Sequence, residues 1–354
     1  MIITINNEAS SEARAELMEL LCRITGSKLP ITTTIMQKRE VVALDSGMID
    51  AQAERALREQ SAVEGLHNPK TAYQLASKAF QAERTSIVIG NVHGGNPVTI
   101  GGEHANPVIM AGPCAVEDRK QLMETALAVK NAGAQVLRGG AFKPRTSPYQ
   151  FQGLGIEGLH LLAEARELTG LPVITEVMEP EMVEAVAQHA DILQIGTRNA
   201  QNFPLLLKAA RNSKRLPVLL KRGLAMTIDE WLLAAEYILA AGNPNVILCE
   251  RGIRSYDPQT RNVLDLTVVP LLHQLTHLPV VIDPSHSTGR RELVPTMSRA
   301  GIASEADGLI IESHPDPDKA LCDGRQSVRP ETLERIVLEA QMITNMIRGE
   351  VSVA

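Results

Sequence analysis

The chain has 354 residues, 44% of them hydrophobic, and a formal net charge of −6, a length that suits a large domain with a small companion and a balance foreign to nucleic-acid surfaces, where a basic excess is the rule. No apolar stretch approaches the roughly eighteen residues of a membrane span, and Glu8, Glu12, Glu16 and Glu19 do not belong in a secretory or transit signal, so a cytoplasmic enzyme touching neither nucleic acid nor membrane is expected. Four cysteines, Cys22, Cys114, Cys249 and Cys322, show no paired spacing and read as reduced thiols.

Residues 1–68 predict the order β, α, β, β, α, β, the pattern of a ferredoxin-like α+β domain. The elements are a strand over 1–5, a helix over 10–24 opened by Ser10 and Ser11 and stopped by Gly26, strands over 31–36 and 40–44, a helix over 51–60 and a strand over 62–66. Residues 69–104 are expected to be a linker, with a short helix over 71–80 and two alternating runs, 86–89 and 97–100, paired as a hairpin capping the closed end of the larger domain. From 105 to 350, eight apolar runs alternate with helix-like segments over 117–132, 156–169, 179–189, from about 203, and over 228–241, 263–277, 290–303 and 330–348. Unbroken apolar runs are what strands buried on both faces look like. The expectation is an α/β (β/α)8 TIM barrel whose active site gathers at the carboxyl ends of its strands. Those ends carry Cys114, Arg138, Glu176, Arg198, Lys221-Arg222, Glu250-Arg251, Asp283 with His286, and Glu312.

These residues sort into two sets. Cys114, His286, Glu312 and Asp323 offer one thiolate, one imidazole and two carboxylates, a mixture suited to a divalent ion such as manganese, iron, cobalt or zinc. Each alone could equally be a buried thiol or a hydrogen-bonded structural group, and His314 and Cys322 compete for places because they lie near Glu312 and Asp323. Arg138, Lys143, Arg145, Arg198, Lys221, Arg222 and Arg251 form a cationic set where burial is costly unless anions compensate. Either anionic substrates supply the compensation, matching Arg forks and Lys ammoniums, or the cations pair internally with Glu176, Glu250 and Asp283.

The segments Gly112-Pro113-Cys114, Leu137 to Tyr149 with its Lys143-Pro144-Arg145-Thr146-Ser147 core, Gln194 to Asn199, Leu220 to Gly223, Cys249 to Gly252, Asp283 to Gly289 and Glu312 to Pro317 resemble the 3-deoxy-arabino-heptulosonate 7-phosphate (DAHP) synthases, in the type Iβ branch with an N-terminal ferredoxin-like domain. The resemblance spans the barrel. It implies a metal-dependent transferase that condenses phosphoenolpyruvate with erythrose 4-phosphate and water to DAHP and phosphate, the first step of the shikimate pathway to aromatic amino acids. It assigns phosphoenolpyruvate to Arg138, Lys143, Arg198, Lys221 and Arg251, erythrose 4-phosphate to Arg145, Thr146 and Asp283, and the metal to Cys114, His286, Glu312 and Asp323. Catalytic roles fall to Lys143, Cys114 and His286, with Lys143 donating a proton to the new hydroxyl or orienting water. Related synthases that take arabinose 5-phosphate typically carry an Asn-Arg-Ser-Ser type segment, so Lys143 to Ser147 favours erythrose 4-phosphate. Thr197 stands where Ala is more usual, and Cys322 where Ser is. A homotetramer is implied as well, and an aromatic amino acid effector at the N-terminal domain is expected by analogy with some relatives. Competing readings are a metal-free Schiff-base aldolase using Lys221 and a catalytically silent phospho-ligand sensor.

Overall fold

The structure is a computed structural model, and it describes residues 1–26, 33–36, 39–44, 47, 49–68, 71–145 and 147–349. The chain begins with β1 (Ile2–Ile5), α1 (Ser11–Thr25), β2 (Thr33–Met36), β3 (Arg39–Ala43), α2 (Ala51–Arg58) and β4 (Val63–His67). Ser10 accepts a hydrogen bond from the Ala13 N–H and Gly26 takes the left-handed conformation at the other end of α1, so the signals read from sequence do set its limits. The sheet order is β2-β3-β1-β4, with every pairing antiparallel, which is the ferredoxin-like arrangement. Ile3, Leu17, Leu21, Val42 and Leu57 close its core.

The helix expected over 71–80 is absent, and the segment is a chain of turns instead. Packing overrides local propensity here. Tyr73, Leu75 and Ala76 are buried against the barrel, the Leu75 and Ala76 N–H groups donate to the Glu236 carboxylate, and Ser77 bridges to Thr276. A helix would have spent those N–H groups on itself. The expected hairpin is present as β5 (Ser86–Ile89) and β6 (Val98–Gly101). Its Ile87, Ile89 and Ile100 pack with Val108, Val136, Ile174, Ile192, Leu219, Ile247 and Val281, near the amino ends of the barrel strands, and so plug the end away from the cleft.

The barrel comes next as β7 (Val108–Gly112), α3 (Arg119–Asn131), β8 (Val136–Arg138), α4 (Ile156–Thr169), β9 (Val173–Val177), α5 (Val183–Ala187), β10 (Ile192–Ile195), α6 (Phe203–Ala210), β11 (Val218–Lys221), α7 (Ile228–Ala240), β12 (Val246–Glu250), α8 (Val268–Leu275), β13 (Val280–Ile282), α9 (Pro284–Thr288), α10 (Val294–Ala303), β14 (Gly308–Glu312) and α11 (Pro330–Ile347). The eight strands close in sequence order, β14 pairing with β7. Two differences from the expected pattern bear on the site. The helix expected over 263–277 begins only at Val268, leaving a long loop after β12 that is pinned by the Ile253–Val263 bridge and carries Arg261. An additional short helix, α9, begins immediately after β13. Asp283 caps it by accepting the His286 N–H, Pro284 takes a first-turn position and Gly289 ends it in the left-handed region.

Candidate active site

The carboxyl ends of the strands open into a cleft of about 200 Å³, lined by Arg138, Lys143, Arg145, Gln150, Glu176, Gln194, Thr197, Arg198, Lys221, Arg251, Arg261, His286 and Asp323 among others. Residues far apart in sequence, from Arg138 to Asp323, thus face one space because the parallel strands all point the same way. Close approach of β7 to β8 is possible only because residue 112 is glycine: a Cβ there would lie 2.0 Å from the Arg138 carbonyl oxygen.

The four expected metal ligands fall into two neighbouring groups that share Asp323. His286, Glu312 and Asp323 each place a ligand atom within 4.8 Å of the other two, and Cys114, Cys322 and Asp323 do the same, so Asp323 joins the groups. Donors that share an ion at about 2.0–2.3 Å each can be no further apart than about 4–4.6 Å. The measured pairs meet that bound, with His286 Nε2 to Glu312 Oε1 at 3.3 Å and Cys114 Sγ to Asp323 Oδ2 at 3.6 Å. Each group by itself offers three donors of the kinds a divalent ion takes, and Asp323 links the two. Neighbours orient the donors. The Asp283 carboxylate takes the hydrogen bond from His286 Nδ1 at 2.8 Å, leaving Nε2 toward Glu312. Arg138 Nη1 and Gln326 Nε2 donate to the two oxygens of Glu312 at 2.9 and 2.7 Å. Burial lowers the His286 pKa, favouring the neutral ring that ligation needs. Burial opposes the Glu312 charge, yet His286, Arg138 and Lys143 outweigh it and hold the pKa at about 2. Burial raises the Cys114 thiol well above its ordinary value, whereas the hydrogen bond with Cys114 lowers that of Cys322, whose Sγ lies 2.9 Å away. Asp323 holds its position with a left-handed φ of 51°.

The cations divide. Arg222 does not face the cleft: it donates to Glu250 at 2.9 Å, to Asp265 at 3.2 Å and to the Met226 carbonyl, so for this residue the internal ion pair is the arrangement found. Lys221 reaches the cleft but pairs with Asp283 at 2.5 Å, and Arg138 pairs with Glu312. Lys143 donates to the Cys114 carbonyl at 3.1 Å. Burial works against its ammonium, but the Cys114 and Cys322 sulfurs and Glu312 raise its pKa above the ordinary value, so it stays charged. Among the described residues, buried Arg251 donates to the carbonyls of Gly252 and His286, and Arg198 stands exposed at the rim. Asp283, expected to touch erythrose 4-phosphate, is not part of the cleft lining. Its oxygens are taken by Lys221 and by the ring and backbone of His286, so the side chain supports both residues from behind.

Arg145 lines the cleft beside the Cys114 side of the donors, donating to Gln150 Oε1 at 3.0 Å and to Cys322 Sγ at 2.6 Å. Thr146, expected beside it, lies outside the described residues. His314 is not drawn into the donor groups and stands 3.8 Å from Glu117 instead. Three contributors escape a reading of the sequence alone: Gln194 on β10, Gln326 behind Glu312, and Arg261, which approaches Asp323 at 3.4 Å. Gln194 interrupts an otherwise apolar strand and could have been found on that ground; Arg261 and Gln326 sit in loops with no marking pattern.

With the geometry in place, similarity to known proteins is specific. A family model described as the DAHP synthetase I family matches residues 73–348. The chain is 45% identical over 339 residues to a phospho-2-dehydro-3-deoxyheptonate aldolase of Thermotoga maritima, covering 96% of this chain and 94% of that protein. It is 36% identical over 261 residues to a 2-dehydro-3-deoxyphosphooctonate aldolase of Nitratidesulfovibrio vulgaris, covering 68% and 93%. The crystal structure of the Thermotoga maritima phospho-2-dehydro-3-deoxyheptonate aldolase (DAHP synthase) superposes with a TM-score of 0.74 at 43% identity, over 98% of this chain and 97% of that one.

Proposed function

The chain belongs to the DAHP synthetase I family, and from that premise we propose that its cleft condenses phosphoenolpyruvate with erythrose 4-phosphate and water, releasing DAHP and phosphate. One observation carries the reading: the cations Lys143, Arg198 and Arg251 line a single cleft together with His286 and Asp323, and at Asp323 two groups of metal-type donors meet. Two anionic substrates and a divalent ion are what such a site lacks.

Cys114, His286, Glu312 and Asp323 are the residues that would hold the ion, whether manganese, iron, cobalt or zinc. Bound there, it supplies Lewis acidity to the aldehyde oxygen of the aldose phosphate. Arg138, Lys143, Arg198, Lys221 and Arg251 bind the carboxylate and phosphate of phosphoenolpyruvate and hold its C3 toward the aldehyde, neutralising two anions that would otherwise repel. Lys143, buried and charged, is placed to give a proton to the oxygen that becomes the new hydroxyl. Arg145 with Thr146 takes the phosphate of the four-carbon sugar, and Asp283 serves the aldose side indirectly, by fixing His286 and Lys221. The pairing of Lys221 with Asp283 weighs against a Schiff-base aldolase, which needs a free amine. A relative named for the eight-carbon product is 36% identical over 261 residues, which makes the aldose the variable that separates the two activities. The test is phosphate release from phosphoenolpyruvate with erythrose 4-phosphate and arabinose 5-phosphate in parallel, in chelator and after manganese is restored. Release with the four-carbon sugar only, and only with metal, is expected; equal use of the five-carbon sugar refutes the substrate assignment. No helix among the described residues is long and apolar enough to cross a membrane. A cytoplasmic homotetramer with an aromatic amino acid effector at the N-terminal domain completes the proposal, supported by the family resemblance alone.

A further inference from the structure

Among the described residues a fifth candidate donor, Cys322, stands with the four. Cys322 and Asp323 are consecutive, and consecutive side chains in an extended segment point to opposite sides. Here the left-handed conformation of Asp323 folds the chain back on itself, and both side chains face Cys114. The sulfurs of Cys114 and Cys322 are 2.9 Å apart and both residues are buried, sharing a small cluster with Ala115. Two thiolates each about 2.3 Å from a common tetrahedral ion stand about 3.8 Å apart, so the two sulfurs need part by only about 1 Å to share one.

We propose that Cys322 is a second thiolate ligand, so that the divalent ion is held from one side by Cys114, Cys322 and Asp323, whose donor atoms all lie within 4.8 Å of one another, with His286 and Glu312 grouped on the other side of Asp323. An ion at this place would take the thiol protons as it binds and join Arg138, Lys143, Arg145 and Arg261, each of which stands within reach of one of the donors or its backbone. A pair of thiolates makes the site soft and biases it toward zinc, iron or cobalt over the oxygen-preferring manganese and magnesium. The same sulfur accepts from Arg145 at 2.6 Å, which couples the residue assigned to the sugar phosphate directly to the ion. The inference rests on the proposed metal site and extends it.

Cobalt(II) titration of the metal-stripped protein, under anaerobic reducing conditions, separates the two. Thiolate-to-cobalt charge transfer in the near ultraviolet reports sulfur ligands without any turnover. The wild-type protein is expected to bind one cobalt with an intensity that falls by about half in Cys322→Ser and by about half in Cys114→Ser. An undiminished band in a folded Cys322→Ser protein overturns the second thiolate while leaving the metal site standing; no cobalt band in the wild-type protein overturns both. Should Cys322→Ser fail to fold, X-ray absorption of the zinc-loaded wild-type protein counts sulfurs directly. Two support the assignment, and one sinks it.

Discussion

Asp283→Asn isolates the residue on which the metal and anion halves of the site both lean. In the wild-type chain its carboxylate accepts from Lys221 Nζ at 2.5 Å, from His286 Nδ1 at 2.8 Å and from the His286 backbone N–H at 2.9 Å, and it is 1% exposed. Its pKa is held well below the usual carboxylate range: burial opposes the charge, but His286 and Lys221 overcome it. An asparagine keeps the shape and one acceptor but leaves the buried Lys221 ammonium without its counter-charge, and removing one partner of a buried pair costs about 3–5 kcal/mol. A fall in Tm of roughly 5–10 °C is expected. The ring of His286 also loses its anionic partner, and loss of such an orienting group weakens metal binding about 10–100-fold. Calorimetric melting and competition against a chelating indicator read the two effects separately. Phosphoenolpyruvate should raise the Tm of the variant more than that of the wild type, because its anionic groups replace the charge that Lys221 has lost. A variant with unchanged melting and unchanged metal affinity would refute the view that Asp283 supports both residues.

Three further outcomes test other parts of the molecule. Burial in the linker contact lowers the His277 pKa from 6.5 to about 4, with Nδ1 2.6 Å from Thr85 Oγ1 and Nε2 2.7 Å from the Leu75 carbonyl; between those pH values the unfolded chain binds a proton that the folded chain refuses, so stability is complete above about pH 6.5 and falls by about 3 kcal/mol as pH drops toward 4. His277→Gln should flatten that part of a Tm-against-pH curve, and an unchanged slope would locate the acid sensitivity elsewhere. Gly112→Ala forces a Cβ to 2.0 Å from the backbone oxygen of Arg138, a clash that cannot relax by a side-chain rotation, so a loss of more than about 4 kcal/mol or of soluble expression is expected; a normally melting variant would contradict the packing of β7 on β8. Arg145→Ala removes a charge-assisted contact worth about 1.5–3 kcal/mol, and the KM for the aldose phosphate should rise about 10–150-fold with that for phosphoenolpyruvate nearly constant. An equal rise in both would dissolve the division of the cleft into two anion sites.

The barrel is legible in the sequence and the linker is not, because each draws its stability from a different place. Val246–Glu250 is buried at every residue, and a strand sealed on both faces is apolar up to the end where it meets the site, so the pattern is visible without knowing any neighbour. The segment 71–80 has its conformation set by Glu236, Leu275 and Thr276, far along the chain. Local propensity favours a helix there, and distant acceptors win. The shortened α8 has the same origin: Ile253 and Val263 bridge to each other and hold as loop what periodicity alone would have wound into helix.

The site shows a sharper version of that limit. Chemistry carried at strand ends was legible, because barrel topology alone guarantees that Cys114, Arg138, Lys221, His286 and Glu312 converge. What sequence could not decide was which cations are neutralised within the protein and which wait for a ligand. Lys221 and Arg222 are adjacent and chemically similar, yet one lines the cleft while the other is fastened to Glu250 and Asp265. Alternation along β11 and beyond explains the split: neighbouring side chains leave a strand on opposite sides, so only one of two consecutive basic residues can face the barrel axis. A strand ending in Lys-Arg thus spends one charge on substrates and the other on locking its own end to the next strand, and exchanging the two, as Lys221→Arg with Arg222→Lys, should disturb the anion site and the lock together.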